Sequence, residues 1–428
     1  MARDKASSKI AKAATEIGGL LRAPARVIPL LRKLGRDSFR LTFEQRHLYS
    51  YASTQRESAE VLNSVLRWIL DAQRPDGGIA AYYSLLTGYS ESYPEVTGYI
   101  VPTLYDFAGV GGDKGAVARA SAERAMLWLL SLQMQTGAFP AGLHGSPDER
   151  AQPSVFNTGQ ILQGLVRAYR ETNNPEARNA AMRAGDWLVA VQQADGCWSG
   201  PSAYQHVPHT YYSMVAWALA ELGEPSRAWD SQRERPYRNA AEKSLDWALS
   251  HFRPSGWIDG IKLRGHPTYL HFIAYVLQGA LETGVLLRRN DAIDAVAKSA
   301  WVLLRKFEAN KFLPGAYEPD FKAGHRFTCL TGNAQMSCIW LRLFEVTNDL
   351  RYLNAALKMN EMLKGLIPSR GPAGMIGGVS GSYPIWGRYQ PLRFISWGSK
   401  FLADDLLLEQ RMKQSLPAEE VEVLPCAS

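Results

Sequence analysis

Cysteine is scarce in this chain of 428 residues. Four occur, Cys197, Cys329, Cys338 and Cys426, and no two form a CxxC pair. That excludes a disulfide framework and a cysteine-based zinc centre, and a reducing compartment is expected. Long hydrophobic runs are lacking too. None reaches the ~18 residues of a membrane span, and the basic N-terminus is not followed by the apolar core of a secretory signal. Net charge is missing from most of the chain. Residues 1–50 hold 11 Lys/Arg against 4 Asp/Glu, while residues 51–428 hold 37 of each. The pI of about 9.1 therefore belongs to an N-terminal arm, and no nucleic-acid partner is expected.

The arm, residues 1–50, interleaves apolar clusters (Ile17 to Leu21, Val27 to Leu31) with cations. Two readings stay open. It is a basic amphipathic helix lying on an anionic membrane surface, or a helix packed outside the main domain with a solvated basic face. The expected location is the cytoplasm, peripheral to the inner membrane surface if the first reading holds. Residues 413–428 show no apolar periodicity and read as a disordered tail.

What the chain has in abundance is repetition. Turns rich in Gly, Asp and Pro recur at 73–78, 133–137, 193–198, 253–257, 310–315 and 368–374. Gln73, Gln133, Gln193, His251 and Glu308 mark successive units at steps of 60, 60, 58 and 57 residues. That period holds two helices and a long loop. Outer helices are expected near 57–73, 116–133, 177–193, 237–251, 292–307 and 351–364. They are amphipathic, as Val61, Leu62, Val65, Trp68 and Ile69 illustrate. Inner helices near 96–108, 157–171, 209–222, 268–287, 332–347 and 391–410 are apolar nearly all round. Six such hairpins over residues 51–412 make one all-α domain, an (α/α)6 toroid. Its long outer-to-inner loops meet at one mouth, and loops of that length tend to be functional.

The stretches SYPEVTGYIVPTL, VFNTGQILQGLVRAY, AGDWLVAVQQADGCW, CLTGNAQMSCIWLRLFEVT and GSYPIWGRYQP resemble a six-hairpin, glycosidase-like toroid family found among bacterial exopolysaccharide biosynthesis genes. The resemblance spans roughly residues 50–410. It implies a carbohydrate-active enzyme of polysaccharide synthesis or modification but does not supply its reaction.

Polar residues gather where the inner helices begin. The catalytic candidates are Glu95, Tyr99, His209, Tyr212 and His271. The substrate-binding candidates are Tyr93, Asn157, Gln160, His206, Asn333, Gln335, Trp386, Arg388, Tyr389 and Lys400. His266 and His325 stand at related positions. Each has a plainer alternative: Asn157, Thr210 and Thr331 as helix caps, and Tyr99, Tyr212 and Tyr275 as core filling with a satisfied hydroxyl. Asp76 and Asp195 sit inside turn motifs and read as turn-formers.

Three functions fit. The first is proton abstraction at carbon-5 of a uronate, giving an epimerase or a β-eliminating lyase. It needs a group that neutralises the carboxylate, a base and an acid. Arg388 or Lys400 would serve the first need, and His and Tyr residues the others. The second is a glycoside hydrolase using Glu95 with a second carboxylate among Asp259, Glu318 and Asp320. The third is a non-catalytic glycan-binding toroid. A terpene-cyclase reading is set aside: the Gln192 to Trp198 turn fits a cyclase repeat, but no DxDD acid motif is present. No cofactor or metal is expected, since His206 and His209 lack a partnering Cys or carboxylate nearby. The expected partner is a polysaccharide or oligosaccharide, anionic in the first reading.

Overall fold

The computed structural model describes residues 27–44, 56–110, 112–145, 152–225, 231–324 and 327–415. Most of the arm, His325 and the tail beyond 415 lie outside the described residues.

Six inner helices form the wall of a barrel: α3 (Pro94–Ala108), α5 (Val155–Thr172), α7 (Ser213–Leu222), α9 (Leu270–Leu287), α11 (Leu330–Thr347) and α13 (Ser396–Ser415). Each packs on the next, and α13 packs back on α3, so the ring closes. The outer layer is α2 (Ser58–Asp71), α4 (Gly112–Leu132), α6 (Pro175–Ala190), α8 (Ser231–Leu249), α10 (Asn290–Asn310) and α12 (Leu350–Leu366). The described residues add one more helix, α1 (Val27–Glu44), on the outside.

The hairpin partners differ from the order of the sequence units. Each inner helix packs on the outer helix that follows it, and the first outer helix, α2, packs on the last inner helix, α13. The short reversals explain this. Asn173, Arg288 and Asn348 end α5, α9 and α11 in the left-handed conformation, which stops a helix within one residue. Asn174 and Asp349 then cap the next helix through side-chain oxygens, satisfying its first N–H groups. The long connections run at the other end and build the mouth. There β1 (Tyr82–Ser84) pairs antiparallel with β2 (Arg393–Ile395), Tyr83 opposite Phe394. The first and last units are thereby joined at the mouth.

The repeated turn is a latch. Gln73 Nε2 donates to the Gly77 carbonyl at 2.9 Å and to that of Ser121 on α4 at 3.0 Å. Gln133 does the same with Gly137 and Ala180, and Gln192 with Gly196 and Ala240. The third unit is thus marked by Gln192, not its neighbour Gln193. Gly77, Gly137 and Gly196 all have φ between +92° and +100°, where L side chains are strained. Asp76 and Asp195 accept backbone N–H bonds within these turns. Trp198 is buried there, its Nε1 donating to the Leu188 carbonyl.

At the far end of the barrel, ion pairs tie inner helices together: Arg167 to Asp106 at 2.8 Å, Arg170 to Glu221 at 3.5 Å and Arg342 to Glu282 at 2.7 Å. By length and composition α9 is apolar enough to span a membrane, but 83% of it is buried in the ring. All-round burial of an inner helix accounts for its hydropathy.

Candidate functional site

Pro94 starts α3 and sets Glu95 in its first turn, facing the barrel mouth. The carboxyl group is enclosed by protein, although the residue as a whole is partly exposed. Desolvation raises its pKa to about 7, against which a hydrogen bond from the Tyr93 hydroxyl acts. That bond, to Glu95 Oε2, is 2.8 Å long. A carboxyl group in low dielectric loses hydration of its charged form, and one hydrogen bond restores only part of it.

A belt of aromatic rings surrounds this group. On α5, Phe156 lies 5.1 Å from Tyr211 and 5.4 Å from Tyr275, edge to face. Tyr211 stacks on Phe272 of α9 at 5.7 Å. The His271 ring lies 4.2 Å from that of Tyr275 and 5.6 Å from that of Tyr389. The Tyr99 and Phe401 rings bring α3 and α13 together at 6.0 Å. The charge of Glu95 bears on Tyr99, Tyr211, Tyr212, Tyr275 and Tyr389. Burial pushes all five phenols above their ordinary value. They therefore remain protonated at neutral pH and serve as hydrogen-bond donors.

His271 is buried in the same belt. Its Nδ1 lies 2.6 Å from Gln335 Oε1, so that nitrogen carries the proton. Burial lowers its pKa to about 4, and the ring is neutral at pH 7. Gln335 Nε2 and both polar atoms of Gln160 are buried without a protein partner. Gln160 follows Phe156 by one helical turn and shares its face. Such orphaned groups cost about 1–3 kcal/mol each when left without a partner.

The remaining candidates divide by their contacts. His209 Nε2 hydrogen-bonds the Tyr204 carbonyl at 2.8 Å, and the Tyr212 hydroxyl accepts the Tyr204 N–H at 2.8 Å. These two side chains fasten the 204–206 loop to the belt. His206 is the exposed end of that loop. Tyr389 is buried and accepts a 2.8 Å bond from Trp397 Nε1. Trp386, 39% exposed, and Arg388 stand at the rim, and the Arg388 charge bears on Tyr269 below.

Three expected ligand-binding residues are committed to the fold instead. Asn157 donates to the Pro140 carbonyl and meets Ser154, which is the actual cap of α5. Asn333 donates to Thr328 Oγ1 and the Cys329 carbonyl. Lys400 is buried and paired with Asp404 at 2.6 Å, so its charge is already neutralised. Phe156 and Phe272 join this belt without any polar signal in the sequence, and Tyr275, which reads as core filling, belongs to it as well. Aromatics on an apolar helix give no signal that separates a ligand wall from core.

No protein-family model matches the chain, and no curated protein matches it. Solved structures do. A heparin-specific unsaturated glucuronyl hydrolase superposes with TM-score 0.65 at 14% identity, covering 83% of this chain and 98% of that one. The Bacillus sp. GL1 unsaturated glucuronyl hydrolase gives 0.62 at 16%, over 83% and 97%. Cellobiose 2-epimerase from Spirochaeta thermophila gives 0.64 at 15%, over 87% and 98%. The ring closure and these superpositions agree that the chain has the six-hairpin α/α toroid fold.

Proposed function

We propose that this protein is a carbohydrate-active enzyme in which Glu95 moves the proton. One observation carries the reading: the Glu95 carboxyl group, held by the Tyr93 hydroxyl at 2.8 Å and pushed up by burial to about 7, stands against a belt of protonated tyrosines. A group poised near the working pH both accepts and returns a proton efficiently. Aromatic faces beside hydroxyl donors suit sugar rings, which have apolar C–H faces and polar edges. Similar toroids are named for glucuronyl and cellobiose substrates, which supports a sugar as ligand.

The preferred reaction is proton abstraction at carbon-5 of a uronate within a glycan. Glu95 acts as base, and Tyr99, Tyr211 or Tyr275 donates to the developing negative charge. Arg388 at the rim pairs with the substrate carboxylate through charge-assisted bonds. The products are those of an epimerase or a lyase. Tyr99 or Tyr275, which keeps its phenolic proton at neutral pH, returns a proton to the opposite face of carbon-5 in an epimerase or to the departing carbon-4 oxygen in a lyase, while His271, its Nδ1–H held by Gln335, offers Nε2 only as an acceptor.

A two-carboxylate hydrolase has less support. Asp259 pairs with Arg253 at 2.6 Å, Asp320 accepts from Ser255, and Glu318 is exposed. The test is product analysis after incubation with uronate polymers in deuterium oxide. Deuterium at carbon-5 identifies an epimerase, an unsaturated end a lyase, and new reducing ends alone a hydrolase.

A further inference from the structure

A cavity lies on the outside of the ring, between α1 and the connection that follows α12. Its volume is about 580 Å³, within the range of about 300–1,000 Å³ typical of small-molecule sites. One wall is α1, and the other is the end of α12 with the turn that follows it. Five cationic side chains line it: Arg32, Lys33, Arg36, Arg56 and Arg370, with no Asp or Glu in the lining. Two of these charges are compensated, Lys33 by Asp37 at 2.6 Å and Arg56 by Glu60 at 2.8 Å. Among the described residues no carboxylate pairs with Arg32, Arg36 or Arg370.

The walls are also fixed in place. Asp37 is buried, and its second oxygen accepts the Ile385 N–H at 2.9 Å, fastening α1 to the sixth unit. Arg56 donates to the Ile367 carbonyl at 3.0 Å, closing the end of α12. Leu30 is buried beneath α1. Three uncompensated guanidinium groups therefore face one preformed cleft. Their mutual repulsion is relieved by an oxyanion, and planar guanidinium donors match phosphate oxygens in pairs. On the same helix Ile28 and Leu31 are 58% and 61% exposed, an apolar surface adjoining the cations.

We propose that this cleft binds a phosphate-bearing ligand, either a lipid head group or a free phosphorylated compound. Its lining shares no residue with the aromatic belt, and the proposal does not depend on the reaction performed there.

The experiment uses the full chain, the variant Arg32→Gln/Arg36→Gln/Arg370→Gln, and a charge-matched control, Lys298→Gln/Arg305→Gln/Lys322→Gln. Calorimetry with inorganic pyrophosphate reads the free source. Flotation with phosphatidylcholine vesicles, with and without phosphatidylglycerol, reads the lipid source. The expected result is saturable binding of at least one probe, weakened about tenfold or more in the cleft variant and within twofold in the control. Pyrophosphate binding assigns a free phosphate, and vesicle binding alone assigns a head group. Arg370→Gln alone, on the exposed turn, gives a smaller loss of the same kind should the triple variant fail to fold. Binding of neither probe overturns the proposal, as does equal loss in the cleft and control variants.

Discussion

The Tyr93 hydroxyl donates a 2.8 Å hydrogen bond to Oε2 of Glu95, two residues further on. The pair spans the junction between the extended cap of α3 and its first turn. The bond favours the charged carboxylate, while burial opposes it and prevails. Removing the hydroxyl therefore raises the Glu95 pKa further. Tyr93→Phe should move the limb of the kcat/KM profile near pH 7 to higher pH. An unmoved limb would assign that titration to another group.

Glu95 and His271 act on stability in opposite directions. The folded-state pKa of Glu95 is raised from 4.5 to about 7. Its preference for the protonated form is fully present below about 4.5 and is lost as pH rises through 7. His271 is lowered from 6.5 to about 4. Its contribution is present above about 6.5 and is lost as pH falls through 4. Glu95→Gln removes only the first term. Its stability relative to the wild type should increase from pH 4.5 to 7 and then level off. The shift from 4.5 to about 7 sets an upper bound of about 3 kcal/mol at 1.36 kcal/mol per pH unit. Urea unfolding at several pH values reads this, and a pH-independent difference would mean an unperturbed carboxyl group.

The turn latch is a matter of fold and should respond as one. Gln192→Ala removes the bonds to the Gly196 and Ala240 carbonyls that tie the turn to the next outer helix. A loss of about 1–3 kcal/mol is expected. Gly196→Ala should destabilise as well. An added Cβ collides with the Lys243 carbonyl oxygen, and φ there is +92°. Gln193→Ala, its neighbour in sequence, should change little. Thermal unfolding of the three variants separates the assignments.

The helices were legible because the periodicity of residues such as Val61, Val65 and Trp68 needs no partner to be seen. The pairing of α2 with α13 was not, since ring closure depends on contacts more than 300 residues apart. Gln192 and Gln193 are indistinguishable locally; only the carbonyl on the next outer helix separates them. The site was half legible. Glu95 stood out as a carboxylate beside an apolar run. Asn157 and Asn333 stood out equally, but their partners Pro140 and Thr328 belong to the loops. The pair Lys400–Asp404 was readable from its spacing of four residues. Tyr275 gave no sign of facing Glu95 rather than neighbouring core.

Arg388 separates binding from packing. Arg388→Ala should raise KM for an acidic glycan well above any change for a neutral one, since its guanidinium is exposed at the rim and free to pair with a carboxylate. Equal losses for both substrates would make it a support for Tyr269, whose hydroxyl donates to the Arg388 carbonyl at 3.3 Å.

The most direct test follows carbon-5 deuterium in a uronate polymer, with wild type and Glu95→Gln in deuterium oxide. The wild type should introduce deuterium at carbon-5 or release an unsaturated end. Glu95→Gln should slow this by about 10²-fold or more, the scale of losing a general acid–base. Unchanged turnover in Glu95→Gln, with activity lost instead in His209→Ala, would contradict the assignment of the proton to Glu95.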